Sequence, residues 1–172
     1  MTPVELVLSL KQEIEDAVKD YRLLAENQED RGITVYAQHI RDEIFDDREG
    51  RYYPLIIVSL QEERDNIGES GREASMATVG LTFGVFAEDK DGWMDLLNIM
   101  ETVRQRILTN RTVANRHRLV EAVEWKAIEA QPYPFWFGYG TLKYSIAQPQ
   151  EMLPAFDEDI IGDAVDTEKN FL

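Results

Sequence analysis

Between Met76 and Glu88 the chain alternates strictly. Ala77, Val79, Leu81, Phe83, Val85 and Ala87 fall on one side, and Thr78, Gly80, Thr82 and Gly84 on the other. A period of two belongs to a β-strand. A strand with one wholly apolar side must bury that side against another layer of structure. The small residues of the second side leave room for a helix, or another subunit, to come close. The segment therefore calls for a sheet with at least one covered face.

Two other segments supply the cover. Thr2, Pro3 and Glu5 form a helix-start pattern with the features of a capping box. Val7, Leu10, Ile14, Ala17, Tyr21 and Leu24 then recur at spacings of three and four, which predicts an amphipathic helix of about six turns ending between Ala25 and Gly32. Asp89-Lys-Asp91-Gly92 punctuates the chain, with Asp89 or Asp91 as helix cap. Trp93, Leu96, Leu97, Met100, Val103 and Ile107 mark a second helix that finishes near Asn110. The expected core joins the 7/10/14/17/21 stripe, the 77/79/81/83/85 strand face and the 93/96/97/100/103 stripe.

Ile33–His39 and Pro54–Leu60 read as two further strands, and Leu119–Ala130 and Phe135–Gln148 as two more around the turn Gln131-Pro-Tyr-Pro134. Arg41–Arg51 and the charged stretch Glu62–Ser75 read as exposed loops. The order α-β-β-β-α-β-β predicts an α+β fold: a mostly antiparallel sheet of about five strands covered by two amphipathic helices. Residues 1–150 form one domain. Residues 151–172 form a C-terminal acidic arm with seven acidic side chains, one lysine and apolar residues that include Leu153, Phe156, Ile160, Ile161 and Phe171.

Charge narrows the function. The chain has 33 acidic and 18 basic side chains, a net charge of −15 and no cysteine. Disulfides, thiolate nucleophiles and cysteine zinc sites are excluded, and broad binding to a phosphate backbone is disfavoured. No run approaches the ~18–20 apolar residues of a membrane span, and the N-terminus lacks a secretory pattern, so an intracellular protein without membrane contact is expected. Neither His39 nor His117 lies in a serine-elbow setting. Asp89-Lys-Asp91-Gly92 is only a fragment of a calcium loop, and the pairs Asp46/Asp47 and Glu62/Glu63 read as solvated loops rather than metal ligands. No catalytic residue, cofactor or metal site is expected, and the chain does not read as an enzyme.

Two clusters point to contacts. Arg111, Arg116, His117 and Arg118 crowd one connection of an otherwise acidic chain; their natural complement is an acidic surface, such as the arm of a neighbouring copy. Pro132–Tyr139 holds five aromatics in eight residues, among them Tyr133, Phe135 and Trp136. It reads either as a strand edge packed over the core or as an interface patch. Phe156, Ile160 and Phe171 are the arm's candidate anchors.

These features occur in a familiar order: an N-terminal helix, a central hairpin with a long acidic loop, a helix ending in Ile107-Leu-Thr-Asn-Arg111, a strand around Glu124-Trp125-Lys126, and Gln131-Pro-Tyr-Pro-Phe-Trp136. The chain from Thr2 to Gln148 resembles the tail terminator (tail completion, or neck) proteins of long-tailed bacteriophages and related contractile particles. That resemblance implies a small α+β virion structural protein, assembled in the host cytoplasm, that forms a homohexameric ring on the tail tube. Such a ring ends tube polymerisation and presents a surface for head–tail joining. Its implied partners are further copies of the chain, the tail tube, the neck or connector proteins and, in contractile particles, the sheath. DNA passes through the lumen without specific binding. Two readings from other classes stay open: a stand-alone ligand-binding or regulatory domain with an aromatic pocket around Trp125, Trp136 and Tyr139, and a metal-dependent hydrolase using the acidic loops.

Overall fold

A computed structural model describes residues 3–24, 31–66, 74–121 and 124–147. In chain order the elements are α1 (Pro3–Val18), β1 (Thr34–Ala37), α2 (Asp42–Phe45), β2 (Leu55–Asn66), β3 (Ala74–Phe86), α3 (Gly92–Thr109), β4 (Thr112–Val113), β5 (His117–Leu119), β6 (Glu124–Ala127) and β7 (Phe135–Ile146). They build one mixed sheet in the order β1-β2-β3-β7-β5-β4, with β6 also pairing β7. Every pairing is antiparallel except β1 with β2. The parallel pair is reached through the connection that contains α2, as parallel neighbours need a crossover. The α+β class holds. The sheet has seven strands rather than five, and a third, short helix lies in what reads from sequence as the Arg41–Arg51 loop.

The alternating strand sets the two faces. Ala77, Val79, Leu81, Phe83 and Val85 are all buried, as their pattern predicts. Their cross-strand partners Ile56 and Val58 of β2, and Leu142 and Tyr144 of β7, point the same way. Helices α1 and α3 cover this face with Leu6, Val7, Leu10, Ile14 and Val18 from one and Leu96, Ile99, Met100, Val103 and Ile107 from the other. Met100 can come so close because β7 has Gly138 beneath it: a Cβ there would lie 2.4 Å from the methionine sulfur. The second face carries a smaller apolar cluster of Ile40, Ile44 and Leu55 near α2, and Tyr53 lies over Gly84.

Four expectations change. Helix α1 ends at Val18, short of the expected Ala25–Gly32. Asp95, fully buried in the first turn of α3, accepts hydrogen bonds from the Leu24 backbone N–H (2.8 and 3.0 Å) and the Tyr21 hydroxyl (3.0 Å). That carboxylate draws the chain out of the helical path, so Tyr21 stays packed on the core while Leu24 is exposed. Second, Trp93 and Leu97 are not core residues but sit 46% and 44% exposed, and Ile99 is buried instead. Third, Glu62–Ser75 is not one loop. Glu62–Asn66 continues β2, and Ala74 and Ser75 open β3, in register from Glu62↔Thr78 to Asn66↔Ala74 past an irregularity at Leu60/Glu62. Backbone pairing holds these charged residues in a strand that their side-chain pattern does not announce. Fourth, the strand expected over Leu119–Ala130 is split. β5 and β6 follow each other along one edge of β7, but the register shifts by two residues between Leu119↔Tyr144 and Glu124↔Thr141. The Thr2 cap, the tip of the 62–75 stretch and the arm at 151–172 lie outside the described residues.

Candidate interaction surface

The helical layer has a seam and two flanks. The seam is where α1 meets α3: Glu13 and Arg106 form an ion pair at 2.9 Å, and Asn110 adds a hydrogen bond to the same carboxylate. Val4 lies nine residues before Glu13, and Leu97 nine before Arg106. At ~100° per residue, nine residues end half a turn away. Each residue therefore faces away from the seam, on opposite sides of the layer. Leu8 accompanies Val4, and Trp93 accompanies Leu97, each at the four-residue spacing that stacks side chains on one face. All four are exposed, Val4 at 62% and Leu8 at 52%. Beyond each apolar pair comes an ion pair on the same helix, Lys11–Glu15 on α1 and Glu101–Arg104 on α3. Hydrogen bonds from Arg104 and then Gln105 hold the Glu101 carboxyl down to about 2.

The expected basic cluster is taken apart by the fold. Arg111 donates to the carbonyl of Leu108 (3.2 Å), Arg116 turns towards Glu5 of α1 (3.8 Å), and Arg118 sits opposite Ser145 on the sheet face away from the helices. His117 is buried between them, and neither ring nitrogen has a hydrogen-bond partner among the described residues. His39 is exposed.

The aromatic run divides by the two-residue period of β7. Trp136 points to the helix side, its indole N–H 3.5 Å from the carbonyl of Ala87. Phe135 and Phe137 point to the other side and pack with Tyr53 and Phe86; the Tyr53–Phe135 centroids lie 5.1 Å apart. Tyr133, at 62%, is the most exposed of the run, and its hydroxyl donates to the Glu88 carbonyl. Trp125 packs against Phe83 (5.9 Å) on the helix side, whereas Tyr139, one register step away, lies on the opposite face. Trp125, Trp136 and Tyr139 thus do not line one pocket. Phe156, Ile160 and Phe171 lie outside the described residues.

The acidic pairs are spent or separated. Asp47 is buried and accepts the backbone N–H groups of Tyr52 (2.9 Å) and Glu49 (3.2 Å). Glu62 and Glu63 point to opposite sides of their strand. Asp91 makes no side-chain cap to α3; Asp89 instead accepts the Asp91 N–H at 3.2 Å and shapes the turn before the helix. Among the described residues no group of three or more His, Cys, Asp or Glu side chains could hold a metal ion, and no helix is long and apolar enough to cross a membrane. In comparisons with known proteins, no family model and no curated protein matches the chain.

The flank residues are where sequence reasoning went astray. A signal was present. On a helical wheel Leu96, Ile99, Met100, Val103 and Ile107 share one arc, and Trp93 and Leu97 fall at its rim. Val4 and Leu8 likewise lie off the Val7/Leu10/Ile14 stripe.

Proposed function

We propose that the chain is the repeating subunit of a closed ring that caps the tail tube of a long-tailed bacteriophage or related contractile particle. The ring ends tube polymerisation and offers its outer surface for joining to the head or neck. One observation carries the ring: the exposed apolar pairs Val4/Leu8 and Trp93/Leu97 sit on opposite flanks of the helical layer. Two different patches on opposite sides suit a head-to-tail contact, which closes into a ring when the rotation between neighbours permits, whereas a two-fold dimer uses one patch against itself. The tail rests on the resemblance of the Thr2–Gln148 segment to tail terminator proteins. The role is structural and needs no bound cofactor. With a net charge of −15 on each chain the ring repels DNA phosphates, so a strand passes through its lumen without being gripped.

Native mass measurement and micrographs of the purified chain test the ring; closed six-membered assemblies are expected. Particles assembled without the chain are expected to carry tubes of uncontrolled length that join no head. A monomer at every concentration, or normal tails in its absence, overturns the reading.

A further inference from the structure

Two arginines converge on one concavity of this strongly acidic chain. At the β1 edge of the sheet face that α1 and α3 leave uncovered, Arg31 and Arg51 join Thr34, Tyr36, Tyr52 and Tyr53 around a cavity of about 290 Å³. Arg31 is held in place by donating to the Gly50 carbonyl at 2.7 Å. Arg51 lies 3.5 Å from Glu49 and 3.8 Å from Asp47, both longer than good charge-assisted hydrogen bonds. Asp47 is already engaged by two backbone N–H groups. The Arg51 side chain is 70% exposed, so its planar fork of donors faces solvent. Burial, and then Asp47, push the Tyr53 hydroxyl above its ordinary value, so this group, already a donor at neutral pH, is held in that form. Guanidinium forks beside aromatic walls match carboxylates that flank a ring or an aliphatic side chain.

We propose that this cavity binds an acidic peptide segment bearing an aromatic residue, and that the segment is Phe156–Ile160 of a second copy of the chain. That stretch, Phe156-Asp-Glu-Asp-Ile160, places three consecutive carboxylates between two apolar anchors. It belongs to a 22-residue arm with seven acidic residues and one lysine. The Arg111–Arg118 cluster, the other basic complement in the chain, is dispersed by the fold. Reach favours another copy over the chain's own arm. The last residue of β7, Ile146, lies nine residues past Phe137, which shares a cross-sheet row with Gly84, Leu55 and Thr34 at the cavity. At ~3.4 Å per residue along the strand and ~4.8 Å per strand across, the gap measured along a flat sheet is ~34 Å. The ten residues from Ile146 to Phe156 span at most ~35 Å. A chain's own arm therefore has little slack for that path, whereas a neighbour's arm is free of this constraint. The assignment builds on self-association but not on any role at a tail.

The absence of cysteine makes the test direct. Gly32 lines the cavity, and a Cβ there meets nothing within 4 Å, so Gly32→Cys is accommodated. Full-length Gly32→Cys and full-length Ala155→Cys, one enlarged by a tag, are mixed and mildly oxidised. A disulfide between chains of different size is expected, and adding Arg51→Glu to the first chain is expected to lower its yield about tenfold. Phe156→Ala in the second chain is expected to lower it as well. Unchanged melting of each variant shows that folding is retained. No mixed disulfide, or one indifferent to Arg51→Glu, overturns the proposal. So does a disulfide that forms only when both cysteines are in one chain, which puts the arm in its own cavity. Rings without the mixed disulfide refute this site and leave the ring standing; the mixed disulfide without rings does the reverse.

Discussion

Phe83 sits deep in the core on the helix-facing side of the sheet: it is 1% exposed and its ring lies 5.9 Å from that of Trp125 on β6. Phe83→Ala is expected to cost about 3–5 kcal/mol in denaturant unfolding; a loss below about 1 kcal/mol would place the side chain on the wrong face of the sheet. This much was readable from alternation alone. Asp95 was not. One aspartate in the first turn of a helix reads as a partner for the helix dipole, and only the fold brings it the backbone of Leu24, 71 residues away. Tyr144 is a second hidden case. Its hydroxyl is buried without a hydrogen-bond partner among the described residues. Burial, and then the Glu13 carboxylate, raise its pKa above the ordinary 10.0, and burial and Asp95 raise Tyr21 in the same way. For a raised pKa the stabilising effect is complete below the unfolded value and is lost as pH climbs through the folded one. Stability should therefore fall from about pH 10 upwards. Tyr144→Phe should make that fall shallower and leave neutral-pH stability unchanged or higher by up to ~1 kcal/mol, because the cost of an unmade bond disappears. Denaturant midpoints on either side of pH 10 check both statements.

Elements with long periodic patterns were legible: α1, β3, α3 and β7 all lie where the sequence predicts them, though α1 stops early. The outer hairpin was not. Glu62–Asn66 offers no apolar alternation, and its place in β2 comes from pairing with β3 rather than from burial. β4 and β5 were hidden by their length instead, two and three residues, although they bury Val113 and His117. The hairpin yields a two-part prediction. Replacing residues 67–73 with a short glycine-serine turn should leave the melting temperature nearly unchanged. Replacing 62–75 should lower it by at least ~4 °C, since that change also removes buried Ser75, which bonds Asp65 and pairs with Ile146 of β7. Equal melting of the two variants would show that the paired stretch adds nothing to the fold. The candidate surface was legible only in part. Tyr133 is exposed, but the apolar flanks required knowing where the seam between the helices falls.

At the scale of the whole molecule, the surface combines high negative charge with two small apolar flanks. Surface ion pairs such as Lys11–Glu15 contribute typically below ~1 kcal/mol each, so apolar contact should dominate subunit association and charge should set its register. Raising salt is accordingly expected to leave the ring intact while weakening the arginine-lined cavity's hold on the acidic segment, as sedimentation and disulfide yield would show. The central claim is that the two flanks meet head to tail. Leu8→Glu spoils one flank and Leu97→Glu the other, both at exposed positions that leave the core untouched. In a head-to-tail contact each variant alone has one damaged surface in every junction, whereas an equal mixture has one intact junction and no means of extending it. Native mass measurement of the three samples is the decisive observation: monomers from each variant alone, and from the mixture a 1:1 dimer that grows no further. A ring formed by either variant alone, or a mixture that stays monomeric, would contradict the account.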